Sequence, residues 1–112
     1  MDLTIWHNPR CSTSRKTLAL LLDRGFAPRI RLYLQDPPDA AELRAALVAL
    51  GQPAQTLIRW KDAPEGLSRT DPEETLIAAL AKTPQLIERP FVQRGPRAAL
   101  GRPPEAVLAL FG

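Results

Sequence analysis

The chain has 112 residues, enough for one domain with a real core. Its apolar and charged fractions, 45% and 24%, are those of an ordinary globular protein, and no apolar run nears the ~20 residues that span a bilayer. The net charge is +3, and a single cysteine with a single histidine excludes an internal disulfide and an all-protein Cys/His zinc site, so no metal is expected.

The opening Met1-Asp2-Leu3-Thr4-Ile5-Trp6 lacks the basic-then-apolar order of a secretory leader, and a cytoplasmic location without membrane attachment is expected. The positive balance suits anionic partners. Basic residues are spread along the chain and aromatics for base stacking are scarce, so nucleic acid is not expected as a partner.

Leu3-Thr4-Ile5-Trp6 reads as a short strand and His7-Asn8-Pro9-Arg10-Cys11 as a loop, because Asn-Pro breaks regular structure. Ser12 or Thr13 is suited to cap a helix that carries Leu18, Leu21 and Leu22 on one face and ends at Gly25. Arg29 to Leu34 alternates as a second strand, and Asp36-Pro37-Pro38 turns the chain. Asp39 with Glu42 forms a capping-box pattern ahead of a helix with Leu43, Leu47 and Leu50 that stops at Gly51.

A helical turn is expected over 54–58 and a polar loop over 61–69. Asp71-Pro72-Glu73-Glu74 starts a helix that runs to about Lys82. Phe91-Val92-Gln93 and 97–100 suggest a hairpin around Gly95-Pro96, and Pro103-Pro104-Glu105 opens a last helix through Leu110. The order, a βαβ half followed by a ββα half with an inserted helical segment, predicts an α/β thioredoxin-like fold with a mixed four-stranded sheet in one domain, 1–112.

Cys11 falls between a strand end and a helix start, where unpaired amides and the helix dipole favour an anion. Arg10, Arg15 and Lys16 add positive charge nearby, and together these features stabilise thiolate over thiol. The same amides suit an oxyanion. His7, on the same loop, either orders the loop or serves the thiol through a hydrogen bond or a proton relay. Position 14 is Ser14, so the chain has no Cys-x-x-Cys pair, and an oxidised or adducted Cys11 needs an external thiol to resolve it.

The run His7-Asn8-Pro9-Arg10-Cys11-Ser12-Thr13-Ser14-Arg15 resembles the active-site loop of the glutaredoxin/glutathione-dependent arsenate reductase family (ArsC type). Tyr33-Leu34 with Pro37-Pro38, Leu57-Ile58-Arg59, Ile87-Glu88-Arg89-Pro90 and Gly101-Arg102-Pro103-Pro104-Glu105 extend the resemblance over nearly the whole chain. Arg10 and Ser12 flank the cysteine where such enzymes often carry smaller residues.

The resemblance implies that Cys11, Arg59, Arg89 and Arg102 are catalytic. It implies that His7, Ser14 and Arg15 join those arginines in binding the substrate. It also implies a cis Arg89–Pro90 bond, a monomer with no bound cofactor, arsenate or a similar oxyanion as substrate, glutathione as co-substrate and glutaredoxin as partner. Arginine fits that role because it stays charged and offers forked donors to oxygens pointing several ways. Two other functions fit the same residues: an ArsC-like thiol enzyme acting on another oxyanion or on a glutathione mixed disulfide, and a non-catalytic thioredoxin-like regulator.

Overall fold

A computed structural model describes residues 2–112 and divides them into two compact units. The first takes in the chain up to Asp36 and Arg89–Gly112; the second is Pro37–Glu88.

The first unit is built on β1 (Leu3–Trp6), α1 (Ser12–Asp23), β2 (Arg29–Arg31), β3 (Phe91–Arg94), β4 (Arg97–Leu100) and a 3-10 helix at Pro104–Leu110. The sheet order is β2-β1-β3-β4. β1 pairs in parallel with β2, and β3 is antiparallel to both β1 and β4. This mixed sheet, with its βαβ and ββ-helix halves, is the thioredoxin-like arrangement that the element order predicts. Ile5, Leu21, Val92, Val107 and Leu110 form the core between the sheet, α1 and the 3-10 helix. Trp6 and Phe91 pack with tilted rings across the β1–β3 pair, with ring centroids 4.4 Å apart.

Several details differ from the sequence expectations, among them a 3-10 turn at Trp60–Asp62 where the polar loop over 61–69 is expected to start. β2 ends at Arg31 instead of Leu34, because its partner runs out. Trp6 pairs with Arg31, His7 N–H donates to the Arg31 carbonyl as a last rung, and the chain then turns, with the Gln35 amide donating to the Leu32 carbonyl. The cap of α1 is Cys11, not Ser12 or Thr13, and the buried stripe of α1 is Ser14, Thr17 and Leu21. Of the expected apolar face, Leu21 is buried and Leu18 packs against the core, but Leu22 is 55% exposed. The last helix is 3-10: Val107 and Leu110, three residues apart, stack on one side of a three-residue turn and are both buried. As expected, Arg89–Pro90 is cis; Arg102–Pro103 is cis as well.

The second unit holds α2 (Ala40–Leu50), 3-10 turns at Ala54–Leu57, Trp60–Asp62 and Pro84–Leu86, and α3 (Glu73–Lys82). The Asp39 capping box forms in full: the Asp39 carboxylate accepts from the Glu42 amide at 2.8 Å, and Glu42 accepts from the Asp39 amide at 3.2 Å. Gly51 closes α2 in the left-handed region, φ 66°. α2 packs on α3 through the buried Leu43, Leu47, Leu76, Ile77 and Leu80. A single bridge between Ile58 and Ile87 ties the two ends of this unit together. Among the described residues no helix is long and apolar enough to cross a membrane.

Candidate active site

The loop after β1 is shaped by Asn8. Its side-chain oxygen accepts from the Arg10 amide at 3.0 Å, and its carbonyl accepts from the Cys11 amide at 3.0 Å. This Asx-type turn brings Cys11 to the first turn of α1 in extended conformation, φ −93° and ψ 120°. The sulfur thus occupies the place where a serine or threonine oxygen usually caps a helix. Cys11 is half-buried.

Burial pushes the Cys11 thiol up. The amides of Ser14 and Thr13 oppose it, followed by the charges of Arg102 and Arg89, and the balance holds the thiol below its ordinary pKa. The expectation of an activated thiolate rests on these groups, and its main support is the helix amides. Arg102 contributes directly, with Nη2 3.6 Å from Cys11 Sγ. Its Nε donates to the Arg89 carbonyl at 2.8 Å, so the guanidinium is tethered on one edge and turned to the sulfur on the other.

Behind the thiol lies a buried polar pair. His7 Nδ1 is 2.7 Å from Ser14 Oγ, which also accepts from the Asn8 amide at 3.1 Å. Desolvation and then the nearby Arg15 charge lower the His7 pKa, favouring the neutral ring. Arg15 Nη1 donates to the Pro9 carbonyl at 2.8 Å, on the outside of the same loop.

Arg59 belongs to the second unit. Its Nε lies 2.9 Å from Asp62 Oδ2, its Nη1 3.9 Å from Glu88 Oε1, and its amide donates to the Leu86 carbonyl at 2.7 Å. The first unit therefore brings together Cys11, Arg89, Arg102, His7, Ser14 and Arg15 by itself. Sequence reasoning missed the Asn8 side chain, the Arg89 carbonyl that tethers Arg102, and the carboxylates of Asp62 and Glu88 that hold Arg59. Asn8 carried a readable signal, since Asn before Pro marks a side-chain-closed turn. A backbone carbonyl carries none.

Among the described residues no cluster of His, Cys, Asp and Glu could hold a metal ion. The profile of the ArsC family matches residues 6–110, which take in both units. The chain belongs to the ArsC family. It is 48% identical over 116 residues to the Escherichia coli (strain K12) protein named "Uncharacterized protein YfgD", covering 99% of this chain and 98% of that one. It is 43% identical over 115 residues to an arsenate reductase of Rhizobium meliloti (strain 1021), with 99% of this chain and 82% of that one covered. Among solved structures, an arsenate reductase from Vibrio cholerae superposes with a TM-score of 0.87 at 40% identity, over 97% of each chain. The thioredoxin-like sheet is thus shared with solved ArsC-type structures over nearly the whole chain.

Proposed function

We propose that the protein is an arsenate reductase that works through Cys11 with external thiols as reductant. The observation that carries this reading is the half-buried Cys11 thiol at the start of α1, depressed in pKa by the Ser14 and Thr13 amides and faced by Arg102. Relatives named arsenate reductase at 40–43% identity support arsenate as the substrate.

The Cys11 thiolate attacks arsenic and an arsenate oxygen leaves as water, giving a Cys11–S–As(V) adduct with no change of oxidation state. Arg89 and Arg102 hold the remaining oxygens, the family resemblance adds Arg59 as a third donor, and His7, Ser14 and Arg15 order the loop that presents the thiol. Glutathione then joins the adduct through its sulfur, displacing a second oxygen as water. A glutaredoxin thiol attacks the glutathione sulfur, leaves with it as a mixed disulfide, and the bonding pair stays on arsenic, now As(III). Hydrolysis releases arsenite and restores Cys11. The single cysteine of this chain fits that scheme, since both electrons come from glutathione and glutaredoxin and none from a second cysteine of this chain.

The test is arsenite formation from arsenate by purified protein supplied with glutathione and glutaredoxin. The expected result is turnover that requires both thiol sources and is lost in Cys11→Ser. Turnover by Cys11→Ser at the normal rate, or none by the intact protein with every component present, overturns the proposal.

A further inference from the structure

Gly101 differs from the other glycines in what it is needed for. Gly25, Gly51, Gly66 and Gly95 have positive φ and open space where a side chain would go, so backbone conformation is what favours glycine there. Gly101 has no such backbone conformation, but it has no room. A Cβ at this position would lie 2.5 Å from Thr17 Oγ1, 2.7 Å from Pro90 Cγ and 2.9 Å from Thr17 Cγ2, closer than real Cβ atoms come.

Neither neighbour can yield easily. Thr17 is fully buried on the inner side of α1 and is β-branched, with Oγ1 donating to the Thr13 carbonyl at 2.9 Å. Pro90 is a closed ring, buried, with its carbonyl accepting from the Gly101 amide at 2.9 Å. Gly101 is thus the point where the end of β4 closes on α1, the helix whose first turn carries Cys11.

The two residues that this contact places are the two arginines beside the thiol. Arg102 follows Gly101 directly and Arg89 precedes Pro90. The Nε of Arg102 is bound to the Arg89 carbonyl, and its Nη2 faces Cys11 Sγ. We propose that Gly101 is a positioning residue for the thiol site: its missing side chain lets β4 approach Thr17 and Pro90 closely enough to hold Arg102 against Cys11. This rests on the reading that Arg102 favours the Cys11 thiolate.

The experiment is the rate of Cys11 alkylation by iodoacetamide as a function of pH, in the wild type, Arg102→Gln, Gly101→Ala, Thr17→Ala and the Thr17→Ala/Gly101→Ala double variant. Arg102→Gln is expected to raise the midpoint. Gly101→Ala is expected to raise it in the same direction, slowing alkylation at pH 7 several-fold, up to about tenfold for a full pH unit. Thr17→Ala should keep the wild-type midpoint. The double variant, freed of both Thr17 contacts but not of Pro90 Cγ, should fall between Thr17→Ala and Gly101→Ala.

A Gly101→Ala protein with a lower melting temperature and an unmoved midpoint overturns the proposal, provided Arg102→Gln does shift it. If Arg102→Gln leaves the midpoint in place, the underlying reading of Arg102 fails, and the proposal falls with it. Should Gly101→Ala not fold, the double variant decides: a midpoint equal to that of Thr17→Ala overturns the proposal, and one above it supports it.

Discussion

Arg102 touches the two halves of the thiol site at once, with Nη2 3.6 Å from Cys11 Sγ and Nε donating to the Arg89 carbonyl at 2.8 Å. A flexible, exposed arginine would spread its charge over many rotamers. Held by that carbonyl, it presents one edge to the sulfur, and to any anion that reacts there.

The first expectation concerns the reactivity of Cys11. Its alkylation should have a midpoint below the ~8.5 of a free thiol. Arg102 is exposed, and charges on the surface are screened within ~10 Å at 0.1 M salt, so added salt should raise the midpoint. The part due to the Ser14 and Thr13 amides should persist in high salt. A low-salt midpoint at or above the free-thiol value would contradict the site as described.

His7 is the sole histidine, so its ring protons can be followed directly by NMR. Burial, and then Arg15, lower its pKa from 6.5 in the folded protein, and the midpoint should be found below that value. The sign for stability follows from proton binding. Between the folded and unfolded pKa values the unfolded chain binds more protons, so this contribution is complete above pH ~6.5 and is lost as the pH falls towards the folded value. His7→Gln should flatten this part of the melting-temperature profile. An NMR midpoint above 6.5 would reverse the argument.

For the proposed activity, Arg59→Ala should slow arsenate turnover by roughly a hundred- to thousandfold, the usual loss for one preorganised donor. Arg59→Lys should recover only part, because an ammonium keeps the charge without the fork. Circular dichroism of both variants should match the wild type. Unchanged kcat/KM in Arg59→Ala would remove this residue from the site.

Packing makes a separate expectation. Leu21 is fully buried in the core of the first unit, and Leu21→Ala should cost about 2–5 kcal/mol in urea unfolding. Val48 is 82% exposed on α2, so Val48→Ser should stay within about 0.5 kcal/mol of the wild type. Similar losses at both positions would mean that the burial pattern is wrong.

Much of the fold could be read from residues whose local chemistry allows one outcome. Asp39 with Glu42, Gly51 after Leu50, and the Gly95-Pro96 turn each fixed an element end, and the elements formed there. The failures came where a tertiary partner decided. β2 stops at Arg31 because β1 supplies no further rung. Leu22 faces solvent because Ser14 and Thr17, polar but satisfied by His7 and by the Thr13 carbonyl, take the inner face of α1. At the site, Cys11 and its cations stood out as residue types. The Arg89 carbonyl and the space at Gly101 did not, since a backbone acceptor and an absent side chain leave no pattern in a sequence.

The position of β1 in the sheet bears on how the chain is made. It lies between β2 and β3, but β2 follows it closely while β3 comes only after Pro37–Glu88 has been synthesised. During translation the βαβ piece therefore exists for a time with one side of its central strand unpaired, displaying Leu3 and Ile5 beside open amides and carbonyls. Such an edge is a template for pairing with other chains, and the contact that covers it is a distant one, slow to form. The growing chain is thus most exposed to aggregation between the completion of β2 and the arrival of Phe91–Arg94.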